Sequence, residues 1–140
     1  MKPICILTIF LISLISVNGY GYPVMTFEKN VNITEAKKVV YSIPEEYFEY
    51  VNRIDFVKEP VKKWVRIKKH KLELVTFSGW NKVKWGKHHN CYYVEIDIFL
   101  KSPVMTPYET LVHELGHVYE YCVLKRDKST EEFADNFKIK

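Results

Sequence analysis

Hydrophobic and polar positions alternate most regularly in "CYYVEIDIFL", where Tyr92, Val94, Ile96, Ile98 and Leu100 fall on one face and Tyr93, Glu95 and Asp97 on the other. That pattern predicts a strand from Cys91 to Leu100 with one face in a core. "RIDFVKE" and "VRIKKHKLELVTFSG" mix β-branched and aromatic residues with charged ones, are punctuated by Pro60 and Gly79, and also read as strands. "WNKVKWGKHHN" reads as a turn-rich connection. Upstream, a tail runs from Tyr20 to about Asn32. "TEAKKVV" and "PEEYFEYVNRI" then carry helical spacing, the second opening with Pro44 where a helix tolerates proline, so one or two N-terminal helices are expected. Downstream, Thr106, Pro107 and Glu109 supply a cap, a first-turn proline and a glutamate that can bond back to the cap. In "KSTEEFADNF", Ser129 followed three residues later by Glu132 predicts a second capping box and a short final helix. The order of helix, strands and two closing helices defines an α+β class, with a small, mostly antiparallel sheet segregated from the helices.

The first nineteen residues change the expected location. "MKPICILTIFLISLISVNG" places one lysine before an apolar run of 14 residues, Ile4 to Val17, and ends on small residues suited to a signal peptidase. Such a run falls short of the roughly 20 residues that span a bilayer, so a cleaved secretory signal over residues 1–19 is expected rather than a stable membrane span. Residues 20–140 would then form one domain, for which a 47% hydrophobic and 15% aromatic composition supplies a core. The formal charge of +4 is concentrated in "KKWVRIKKHK", Lys62 to Lys71. The plain reading of this run is a solvated face. Its functional reading is attraction to an acidic partner or surface, whereas nucleic acid does not suit a secreted chain. "Asn32-Ile33-Thr34" fits a glycosylation sequon.

Most of the chemistry lies in "TPYETLVHELGHVYEYC". At helical pitch, Leu111, Leu115, Val118 and Cys122 gather on one side, and His113 and His117 lie nearly opposite, with Glu109, Gly116 and Glu120 beside them. Two histidines at i and i+4 can aim their nitrogens at one point, the spacing a zinc site requires. Glu114 sits about 100° around the helix, where it can reach a water at that point without ligating the ion. A third ligand is needed from elsewhere. Glu131 and Asp135 share a face distinct from that of Glu132, and can serve as a ligand and as the carboxylate that supports one. Glu120, on the histidine face but a turn below the point of convergence, competes as a ligand, and is rather expected to line the cleft or to meet a lysine.

"HELGH", followed 14 residues after His117 by "EEFAD", resembles the gluzincin branch of zinc metallopeptidases, and the short chain resembles its minimal members. The resemblance is specific from Thr106 to Phe137 and looser before it. It implies a zincin-like fold in which the helix of the two histidines and a C-terminal glutamate helix form the active site. It further implies that His113, His117 and Glu131 bind Zn2+, that Glu114 is the general base that activates water, and that Asp135 steadies His113. A secreted peptidase acting on a peptide or protein substrate follows, and the strand at 91–100 would be the sheet edge that pairs with substrate. A metzincin would carry glycine and histidine where this chain has Glu120 and Val123. No residue matches the oxyanion-stabilising tyrosine or histidine of larger gluzincins, and Tyr119, Tyr121, His88 and His89 receive no role. The alternative is a non-catalytic, zinc-stabilised binding protein, which would have no need of a proton acceptor at Glu114.

Cys91 and Cys122 remain once Cys5 leaves with the signal. A strand of about 30 Å and a helix returning about 23 Å let their ends meet. Strict alternation, however, turns Cys91 away from the apolar face, so a disulfide and two free thiols both stay open.

Overall fold

The computed structural model describes residues 21–140; the expected signal at 1–19, its cleavage point and Tyr20 lie outside the described residues. The described elements are β1 (Val24–Phe27), α1 (Ile33–Tyr41), β2 (Arg53–Val57), β3 (Val61–Lys68), β4 (Lys71–Phe77), β5 (Gly79–Trp85), β6 (Cys91–Phe99), α2 (Pro107–Cys122) and α3 (Glu131–Asn136). The α+β class holds. None of the described helices is long and apolar enough to cross a membrane.

Four strands form one sheet in the order β1-β2-β6-β5, and β3 and β4 form a separate two-stranded ribbon. In the main sheet β1 runs parallel to β2 and β2 parallel to β6, and only β5 is antiparallel to its neighbour. The expected mostly antiparallel sheet is therefore corrected to a mixed one. α1 serves as the crossover between the parallel β1 and β2, and the long excursion through β3, β4 and β5 makes the parallel connection from β2 to β6. The segment read as a tail contains β1, whose four residues are too few to show alternation.

Ile54, Phe56, Val94, Ile96 and Ile98 point from the sheet into one core with Ala36 and Val40 of α1 and Leu111, Leu115, Val118 and Cys122 of α2. Arg53, Asp55, Glu95 and Asp97 alternate onto the opposite face, where Arg53 pairs with Asp55 and Glu95. Asn32 caps α1 by accepting a bond from the Glu35 N–H at 3.2 Å. "PEEYFEYVNRI" forms only a 3-10 turn at Glu45–Phe48 instead of a helix. The helix cannot continue because β6 captures Asn52, whose N–H donates to Val94 O at 2.9 Å and whose side chain accepts from Val94 N at 2.7 Å.

"WNKVKWGKHHN" is corrected from a connection to the edge strand β5, ending in a turn. Between Lys84 and Trp85 the register slips, so Trp85 faces Cys91 and Tyr92 is left over. This bulge resolves the cysteine question. It turns Tyr92 outward, 67% exposed, and carries Cys91 toward Cys122, to which it is disulfide-bonded with the Cα atoms 5.5 Å apart.

Candidate metal centre

The centre is built on α2. Thr106 accepts from the Glu109 N–H, Glu109 accepts from the Thr106 N–H, and Pro107 occupies the first turn, as expected. Leu111, Leu115, Val118 and Cys122 fix the rotation of this helix against the sheet. His113 and His117 are thereby turned into an open cleft of about 580 Å³, between α2 and α3 on one side and the start of β5 on the other.

Their Nε2 atoms stand 3.1 Å apart. Glu131 Oε2 lies 3.0 Å from His113 Nε2, and Glu131 Oε1 lies 3.3 Å from His117 Nε2. One ligand atom from each residue thus falls within a 4.8 Å cluster. Donors about 2.0–2.2 Å from a tetrahedral zinc are separated by about 3.3–3.6 Å, so this set of two imidazoles and a carboxylate fits Zn2+ in number and kind, with contacts of 3.0–3.3 Å that a bound ion would spread slightly. His113 Nδ1 lies 2.9 Å from Asp135 Oδ1, off the line of a good hydrogen bond, and His117 Nδ1 is buried without a partner among the described residues. Burial lowers the pKa of His117, which favours the neutral imidazole that ligates metals.

Glu114 lies beside this point, buried, and accepts a 2.6 Å hydrogen bond from the side-chain amide of Asn81 on β5. Burial pushes its carboxyl up to about 7, against the lowering effects of the Asn81 bond and the His113 charge. Asn81 escapes a reading of the sequence alone because it lies in the segment taken for a connection. The alternation of Asn81, Val83 and Trp85 with Trp80, Lys82 and Lys84 was the available signal.

Two glycines permit the close approaches that assemble the cleft. A Cβ on Gly79 would meet Thr110 Cγ2 at 2.5 Å and Asp97 O at 2.7 Å, so β5 can lie against α2 only without one. A Cβ on Gly116 would meet Ala134 Cα and Phe137 Cβ, each at 2.9 Å. Gly116, between the two histidines, is thus the seat of α3.

Two expectations for this region are corrected. The cap of α3 is Thr130, which accepts from Phe133 N at 3.2 Å; with Phe133 at the third helical position, the Ser129–Glu132 capping box does not form. Glu120 neither lines the cleft nor meets a lysine. It is 0% exposed, accepts from Thr130 N at 2.8 Å, and pairs with Arg126 at 2.8 Å. Burial raises its carboxyl, but the Thr130 N–H and the Arg126 guanidinium outweigh that and hold it below the ordinary range. Glu120 therefore anchors the residue that precedes Glu131.

The expected role of β6 as the edge strand is also overturned, because β6 lies between β2 and β5. The cleft is bounded by β5 and by Val75, Thr76 and Phe77 at the base of the ribbon. Tyr121 lines the cleft while stacking on Trp85, and Tyr119 packs on Phe133 and Phe137 outside it. His89 faces Asp127, away from the cleft. No protein-family model, curated protein or solved structure matches the chain.

Proposed function

We propose that this chain is a secreted zinc metallopeptidase of gluzincin-like, zincin-type architecture, in which His113, His117 and Glu131 hold Zn2+ and Glu114 is the general base. The observation that carries the reading is the convergence of two Nε2 atoms and a carboxylate beside a buried carboxyl that is not itself part of the donor set. A bound zinc supplies a Lewis acid and lowers the pKa of a coordinated water to about 7.

The protein's own groups account for the remaining steps. Glu114, buried beside the donor set, takes a proton from the attacking water and returns it to the leaving amine. Asn81 holds the Glu114 Oε2 atom, leaving the other oxygen for that exchange. Asp135 constrains the His113 ring from its Nδ1 side. The outer backbone edge of β5, unpaired among the described residues and bordering the cleft at Gly79, Trp80 and Asn81, offers pairing groups to an extended peptide.

Metal analysis of the purified chain should give about one zinc per chain, with hydrolysis of unstructured protein abolished by a chelator. Glu114→Gln should keep the metal and lose hydrolysis by about a hundredfold or more. Glu131→Ala should lose zinc on dialysis, whereas Glu132→Ala, altering an exposed residue outside the donor set, should not. Asp135→Ala should weaken affinity or activity about ten- to a hundredfold. Stoichiometric zinc in dialysed Glu131→Ala would remove the assignment, and full activity in Glu114→Gln would remove the proposed base.

A further inference from the structure

The ribbon of β3 and β4 has a face that the rest of the described chain does not cover. Cross-strand pairing sets Lys62 opposite Thr76, Trp64 opposite Leu74, and Arg66 opposite Leu72, and paired side chains share a face. Trp64 is 68% exposed, Leu72 55% and Leu74 51%. The ribbon is tied to the body near its base, where Phe77 packs on Trp80 and Lys63 lies over the Trp80 ring. A two-stranded ribbon is marginal in water by itself, and three large apolar side chains side by side on one face call for a second surface.

The charge around them identifies that surface. Val61 to Phe77 holds six basic residues and one acidic, a net +5, while the remainder of the chain has fifteen basic residues against sixteen acidic, a net −1. Lys62 and Arg66 flank Trp64 on its own strand and face, and Lys68 and Lys71 are paired toward the tip. A second copy of the ribbon would bring like charges together. A tryptophan and leucines fringed by lysine and arginine instead match the boundary of an anionic bilayer, where the ring sits among headgroups and the cations meet phosphates.

We propose that the exposed Trp64–Leu72–Leu74 face of the ribbon docks this protein on anionic lipid membranes. The basic fringe draws the ribbon to the surface, and the apolar stripe enters the headgroup boundary. Docking would hold the metal cleft beside the membrane, since Val75, Thr76 and Phe77 line that cleft. The inference does not rest on zinc or on peptidase activity.

The test is co-sedimentation of the full chain with phosphatidylcholine vesicles, with and without about one third phosphatidylglycerol, at low and high salt. The parent and both variants below contain the same first twenty residues, so differences among them report the ribbon. The parent should bind the anionic vesicles more tightly, with salt weakening the difference. Lys62→Gln/Arg66→Gln/Lys68→Gln should reduce anionic binding about a hundredfold at low salt. Trp64→Ser/Leu74→Ser should reduce it at least about tenfold while leaving the circular dichroism of the fold unchanged. Equal binding by parent and variants, or equal binding to neutral and anionic vesicles, would overturn the proposal. So would loss of a dimer in the Trp64→Ser/Leu74→Ser variant without loss of vesicle binding, which would assign the face to a second copy. Binding of polyglutamate but not of vesicles would assign it to an acidic protein.

Discussion

Asn81 and Glu114 are 33 positions apart in the sequence and joined by a 2.6 Å hydrogen bond. Removing a hydrogen bond to a charged group costs about 1.5–3 kcal/mol, so Asn81→Ala should lower kcat about tenfold or more with zinc content unchanged. Steady-state kinetics beside metal analysis checks this; an unchanged kcat would mean that α2 alone holds Glu114 in place. The contrast with the histidines shows what a sequence reveals at this scale. His113, Glu114 and His117 could be placed relative to one another because helical pitch relates them locally, and Glu131 and Asp135 for the same reason. Asn81 reaches the site only through sheet pairing and helix packing, which no local period encodes.

At the scale of elements, α3 is six residues long and is held in place by its neighbours. Gly116→Ala should force α3 away from α2, weakening zinc binding although no ligand has changed. Titration with a competing chelator, beside a melting curve, checks this. Glu120 gives the docking of α3 a pH dependence. Its carboxyl releases a proton more readily in the folded chain than in the unfolded one, so its stabilisation is complete above the ordinary value of 4.5 and is lost as pH falls through the lower, folded value. Glu120→Gln should therefore lower Tm at neutral pH and flatten the acid limb of a Tm against pH curve. A limb of unchanged slope would show that another carboxylate sets it. The sequence led to Ser129 as the cap because Ser-x-x-Glu is a good local signal. Thr130 prevails because its backbone N–H is what buried Glu120 binds.

Across the whole molecule, the class, the strand at 91–99 and the two closing helices were readable, whereas β5 and the pairing of the strands were not. Val24–Phe27 is too short to announce itself, and the parallel ladders join segments far apart in sequence. The disulfide depended on a one-residue bulge, which strict alternation cannot foresee. Closing a loop between positions 31 apart stabilises by about 3–4 kcal/mol on a chain-entropy account. Cys91→Ser/Cys122→Ser should lose an amount of that order, read from denaturant unfolding of parent and variant. An unchanged unfolding free energy would mean that the bond only records a proximity the fold already imposes.

A helix as short as α3 does not persist unaided, so its carboxylates are in position only while it is seated. Glu131 and Asp135 arrive together on this one piece and meet a pair of histidines already fixed by the core. The candidate donor set is therefore complete only when α3 is seated on α2. A cation captured there would act as a latch, adding a cross-link between two helices that are otherwise joined only by packing and hydrogen bonds.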